Sequence, residues 1–328
     1  MIITEKTSWL RMIFANHGTT AGKIWPRVAV VFIFSVVITT ISVVYPIHAY
    51  SLTTAPFTVI GLALAIFLGF RNSAAYDRYW EGRKLWGRMV NVCRSFTMQI
   101  LTLIDDPEAD ARETDDREYD AKSASPDVET IRHEMVLSLI AYINAFRHRL
   151  RDSNPADELR HDLPDGDPAD VYLSHENVPA AVANGIAQQI NRAWRNGWLN
   201  VYHVPLLHTN LTEMLSIQGG CERIKSTPIP FTYSVLTHRT VLLYCLALPC
   251  GLHDTVGILT PVVVGLVAYA FLGLDAVGDE VEQPFGLDAN QLPLHQLTRM
   301  IEINLRQMSG HDPSLIPPPI EAVNETLH

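Results

Sequence analysis

The chain alternates between long apolar blocks and polar stretches, and the helical period fits both. Val28–Val44 carries no charge and is rich in valine, isoleucine and phenylalanine. At about 1.5 Å per residue it is long enough, extended to Tyr45, to cross a bilayer, and Pro46 ends it. Pro56–Phe70 holds no charged, amide or histidine side chain, whereas the next stretch carries Arg71, Asp77, Arg78, Glu81, Arg83 and Lys84. No proline follows Pro56 and the glycines are isolated. The pattern therefore predicts one helix that leaves hydrocarbon and continues into water as far as Ile104.

A second apolar pair spans 228–274. Val241–Leu252, prolonged backwards to Phe231, forms a third span that contains His238 and Arg239. An arginine at that depth is costly unless protein or water surrounds it, so Arg239 is predicted to be buried in protein. Thr255–Leu274 is a fourth span, interrupted at Pro261. Neither connecting turn, 46–55 or 251–255, has a lysine or arginine, while basic residues sit before span one and after span two. The positive-inside rule places both termini in the cytoplasm.

Two stripes run along the second span. Leu62, Ile66 and Phe70 recur every four residues, drifting about 40° per step, and beside them run Gly61, Ala65 and Gly69. Small residues at that spacing let helices approach closely in lipid. Two readings are open. A ring of identical helices could pack through the small ridge and turn the bulky ridge to its axis, or both stripes could face helices of the same subunit.

Between the hairpins the chain is polar but still helical. Trp80, Leu85, Trp86, Met89, Val92 and Phe96 form an apolar stripe on the continuing helix. Residues 105–128 are acidic, with Arg112 and Arg117 among nine acids by Asp120, and read as a solvated loop. Ile131–Arg151 is an amphipathic helix with Ile131, Met135, Leu139, Tyr142, Ile143 and Phe146 on one face. Residues 152–178 read as loop, followed by helices over 179–196 and 205–219 in which Trp194 is assigned to the core. His203 and His208 have no acid or cysteine to complete a metal set, and a last helix covers 291–307.

The resulting organisation is an N-terminal amphipathic segment (1–27), a spanning hairpin (28–70), a helical cytoplasmic region (71–227), a second hairpin (228–274) and a cytoplasmic tail (275–328). Composition agrees with an all-α membrane protein. Of 328 residues 48% are hydrophobic and only 18% charged, against roughly 25% charged in ordinary soluble domains. The net charge of −10 argues against nucleic acid as a partner. The four cysteines lack metal-site spacing, and neither a metal nor a cofactor is implied. The spans offer no converging nucleophile or metal set, so an enzyme is not expected.

Phe67-Leu68-Gly69-Phe70-Arg71-Asn72 with Tyr76-Asp77-Arg78-Tyr79-Trp80-Glu81 resembles the signature of the bestrophin ion channels in their bacterial branch. Ile229-Pro230-Phe231-Thr232-Tyr233 and the segment from Leu274 to Gly286 resemble that family's start of the third span and its stretch after the fourth. The resemblance implies a homopentamer in the bacterial inner membrane, with four spans per subunit around one axial pore and with lipid and monovalent ions as its other partners. It implies that Leu62, Ile66 and Phe70 line an apolar neck that gates by dewetting, with Gly61, Ala65 and Gly69 packing the helices around it. It also implies a second, cytoplasmic constriction near Pro205 or Leu206. Animal relatives carry a dense acidic calcium clasp after Pro-Phe-Gly, whereas Leu287–Gln291 holds one carboxylate, too few for six oxygens. Bacterial members resemble sodium and potassium channels, and the acidic net charge points the same way. An anion channel, as in animal and plant relatives, and a non-conducting scaffold are the alternatives.

Overall fold

The computed structural model describes residues 18–45, 53–106, 126–164 and 169–321. Apart from one isolated bridge between Ile104 and Leu199, the regular structure among these residues is helical. Most of the N-terminal amphipathic segment expected at 1–27 and most of the 105–128 loop lie outside the described residues, and the helix of the first span already begins at Ala21.

Three helical stretches are long and apolar enough to cross a membrane: Ala21–Val44, Thr54–Leu103 and Phe231–Glu282. We label the first two α1 and α2. Helix α2 runs 50 residues without a break, its one proline, Pro56, lying in the first turn where a missing N–H costs nothing. Polar-middle helices follow as α3 (Pro126–Arg151), α4 (Ala156–Asp162), α5 (Ala169–Leu173), α6 (Val178–Arg195) and α7 (Val204–Ser226). The third apolar stretch divides into α8 (Phe231–Val256) and α9 (Thr260–Glu282), and α10 is Leu294–Met308.

The division falls at a 3-10 turn over Gly257–Leu259, where Gly257 takes φ of 60°. The tight reversal suits a residue with no Cβ. Tyr244 and Phe271 meet edge to face at 5.5 Å between ring centres. In a straight helix they would stand about 40 Å apart, so α8 and α9 fold back on each other. The turn lies beyond the 251–255 expected from sequence, because α8 tolerates Pro249 and continues through His253. Pro261 does not interrupt α9 but opens it, in the first turn where a missing N–H costs nothing.

The chain separates into two compact units. The first comprises residues up to Glu81, Thr227–Pro284 and Asp288–Gln291. Its core joins Ile24, Val28 and Val31 of α1, Leu64 and Leu68 of α2, Val241 and Cys245 of α8, and Val264 and Ala268 of α9. The hydroxyl residues of α1 divide as their type allows. Ser35 and Thr39 are buried in the packing, while Thr40 donates back to the Val36 carbonyl at 2.8 Å.

The second unit comprises Gly82–Ser226, Phe285–Leu287 and the chain from Leu292. Helix α3 is its axis. From Met135 to Phe146 buried residues point in every direction, so α3 is a central core helix and not the one-faced helix expected. Trp86 of α2 stacks on Phe146 at 5.2 Å, continuing a stripe of Met89, Cys93, Phe96 and Ile100. Two sequence expectations for tryptophan fail. Trp80 is half exposed in the first unit and Trp194 is exposed, because Ala193 turns inward in its place. The 152–178 stretch holds α4 and α5, short helices too brief for an apolar period to register.

Candidate pore-lining face and the charge cluster beneath it

Helix α2 within the first unit has two sides. Phe57, Leu64, Leu68, Arg71 and Ala75 are buried and mark the side packed on the other apolar helices of the chain. Leu62, Ile66 and Phe70 are 65%, 50% and 67% exposed. Among the described residues the bulky stripe therefore turns away from the packed side of the helix.

The small ridge divides. A Cβ on Gly61 would lie 2.5 Å from the Tyr244 hydroxyl, so this glycine exists to let α8 of the same chain approach. Ala65 is exposed and nothing lies within 4 Å of a Cβ placed on Gly69, so these two leave open surface beside the bulky stripe. Pro205 and Leu206 sit in the first turn of α7 and are also exposed. They belong to the second unit.

One residue beyond Phe70 the helix presents Arg71, about 100° further round and therefore on the buried side. Its side chain is fully buried, and a buried charge needs partners of opposite sign. Helix α9 supplies them from Asp275, Asp279 and Glu282, one face at helical spacing. Nη1 of Arg71 donates to Asp275 Oδ1 at 2.6 Å, Nη2 donates to Asp279, and Glu282 Oε2 lies 3.8 Å from Nη2. His238 of α8 closes the set, its Nδ1 2.5 Å from Asp275 Oδ2 and its Nε2 3.6 Å from Asp279 Oδ2.

Hydrogen bonds around the cluster tie the same three helices. Asn72 donates to the Leu274 carbonyl at 3.0 Å, and its side chain fills the space over Gly278. Arg78 donates through Nε to the Glu282 carbonyl at 3.1 Å, and the Ile229 N–H donates to Glu282 Oε1 at 2.9 Å. The donor atoms of His238, Asp275 and Asp279 lie within 4.8 Å of one another, near enough to share a cation. The guanidinium of Arg71 already supplies positive charge there. The cluster is thus a latch that fixes the end of the bulky stripe to α8 and α9.

Sequence reasoning assigned the buried arginine to Arg239, which is exposed. The signal for Arg71 was present: three carboxylates at spacings of four and three residues follow the last apolar span, and Arg71 is the first charge after the second. The single carboxylate of 287–291 is engaged as well, with Asp288 3.0 Å from Lys23 Nζ.

The chain is similar to known proteins along most of its length. The profile of a family described as Bacterial/Fungal Bestrophin protein matches residues 1–307. The voltage-dependent anion channel-forming protein RSc3414 of Ralstonia nicotianae is 40% identical over 318 residues, 96% of each chain. The voltage-dependent anion channel-forming protein YneE of Escherichia coli K12 is 36% identical, over 94% of each. Among solved structures, a bacterial bestrophin homolog from Klebsiella pneumoniae superposes with a TM-score of 0.78 at 31% identity, covering 88% of this chain and 100% of that one.

Proposed function

Because this chain belongs to the bacterial bestrophin family of channel-forming, multi-pass membrane proteins, we propose that it conducts small monovalent ions through a neck lined by Leu62, Ile66 and Phe70. The observation that carries the reading is the exposure of all three side chains along one stripe of a helix whose other side is packed on its own chain. Lipid also covers apolar residues turned outward, so it is the channel-forming character of the relatives that favours a ring of copies, which covers the stripe while leaving a narrow apolar passage on its axis. Such a passage excludes water until it widens slightly, which makes it a gate. The ring is a homopentamer in the bacterial inner membrane with both termini in the cytoplasm. Ala65 and Gly69 provide the smooth strip along which neighbouring copies of α2 meet, and Pro205 or Leu206 forms a second constriction.

For the sign of the ion, the names of the Ralstonia and Escherichia relatives support an anion such as chloride. That displaces the sodium and potassium reading, which rested on the resemblance to bacterial members and on net charge, a property of the whole chain that does not say which charges border the path. Purified protein in a planar bilayer under a salt gradient tests the assignment. A reversal potential near that of chloride supports it, and one near that of the cation overturns it. The mass of the detergent-solubilised particle tests the ring, since a single subunit has too few helices to enclose the neck.

A further inference from the structure

Helix α2 does not stop at Phe70, and its geometry fixes what the neck-facing side presents next. Taking about 100° per residue, Leu62, Ile66 and Phe70 occupy a sector roughly 80° wide. Ser73 and Asp77 fall within that sector, and Asp77 projects between Ile66 and Phe70 about 10 Å along the axis from Phe70. Both are exposed, as the three apolar residues are. Asp77 is the first charge on this side of the helix.

Nothing nearby cancels it. Arg71, the charge that precedes it in sequence, is fully buried on the packed side of the helix and bound to Asp275 and Asp279. Arg78 is turned to the carbonyls of Glu282 and Thr227. Among the described residues Asp77 makes no ion pair or hydrogen bond. Glu81 lies about 20° outside the sector, and the first cation to return to it is Lys84, about another 10 Å on, roughly one Debye length at 0.1 M salt. An exposed, unpaired carboxylate directly past an apolar constriction is placed to act on whatever ion leaves it, because low-dielectric walls focus the field of a charge at their mouth.

We infer that Asp77 is a specificity-determining residue of the conduction path: repeated in each copy, it forms a ring of carboxylates past the neck that favours cations and retards anions. The inference rests on the neck reading proposed above. In an anion-conducting pore the ring is a brake, so the wild type discriminates against cations less than a variant lacking the charge. Rings of like charge are a general device for ion discrimination, and their effect grows as salt falls.

The test uses the full-length protein in planar bilayers under a potassium chloride gradient, at low and high total salt, with Asp77→Asn, Asp77→Glu and Ile66→Ala beside the wild type. Gel filtration in detergent first checks that each variant keeps the wild-type particle size. At low salt Asp77→Asn is expected to lower the ratio of cation to anion permeability by about threefold or more, the effect of roughly 0.6 kcal/mol per ion, with a smaller change at high salt. Asp77→Glu, which keeps the charge, stays near wild type. An unchanged ratio in Asp77→Asn at low salt, with Ile66→Ala still altering conductance, overturns the role of Asp77 and leaves the neck intact. If neither Asp77→Asn nor Ile66→Ala changes conduction, the neck reading falls and this inference with it.

Discussion

Arg71 and Asp275 are separated by 204 residues of chain, yet Nη1 of one lies 2.6 Å from Oδ1 of the other with both side chains buried. The pair joins the second apolar helix to the last one at the level where each first meets charge. Its partners Asp279 and His238 extend the link to α8. A buried pair of this kind is weak evidence for net stability, because desolvation of two ions offsets most of their attraction. Breaking it from one side is another matter.

Asp275→Ala leaves the buried guanidinium with half-exposed Asp279 and, at 3.8 Å, Glu282, and a loss of about 3 kcal/mol, the lower end for a broken buried pair, is expected. Arg71→Met with Asp275→Ala removes both ions and is expected to cost less than the single change at Asp275. Thermal unfolding in detergent of the wild type, Asp275→Ala, Arg71→Met and the double variant, read as a double-mutant cycle, measures the coupling. Equal and additive losses would show that the pair is not coupled.

The two glycines on the small ridge should behave differently. Gly61→Ala drives a methyl into the Tyr244 hydroxyl and is expected to cost about 1–3 kcal/mol, partly recovered by Tyr244→Phe. Gly69→Ala meets nothing in its own chain and should leave the subunit's folding intact. If Gly69 borders a neighbouring copy, the same change weakens the oligomer. Melting temperature and particle mass in detergent separate the two effects.

What could be read from the sequence followed from periods long enough to register. The break-free α2 and the four apolar helices rest on ten or more residues of pattern, which outweighs any single side chain. The latch was misread because its members stand far apart in sequence, and burial of Arg71 depends on which face of α2 meets α9. Arg239 looked equally deep in its span, and only the packing of α8 turns it outward. The exposure of Leu62, Ile66 and Phe70 was likewise unreadable, since lipid-facing, pore-facing and core positions share one composition in an apolar helix.

Glu158 of α4 gives the second unit a pH-dependent element. Its hydrogen bond to His148, and then those to Arg147, outweigh its partial burial and hold its carboxyl down to about 2 from an ordinary value of 4.5. The unfolded chain therefore takes up this proton first as the solution is acidified. The stabilisation is complete above about pH 4.5 and disappears as the pH falls toward about 2. Glu158→Gln should lower the melting temperature at neutral pH and flatten its decline across that window. An unaltered profile would mean that the ion pair contributes nothing to stability.

The neck itself is tested at Ile66, the middle of the three exposed residues. Its neighbours on the stripe are one helical turn away on either side, so shortening Ile66 widens the passage at its centre while leaving Leu62 and Phe70 as rims. Ile66 is half exposed in the subunit, so Ile66→Ala opens little cavity within the chain and should fold as the wild type does. A wider ring wets at lower cost, because the penalty for water in a narrow apolar passage falls as its radius grows. Single-channel conductance and open probability are both expected to rise severalfold, with the reversal potential little changed because no charge has been altered. Ile66→Ser, polar and similarly small, should open the passage further still. Unchanged conductance in both variants, with normal particle mass, would place the gate somewhere other than this stripe.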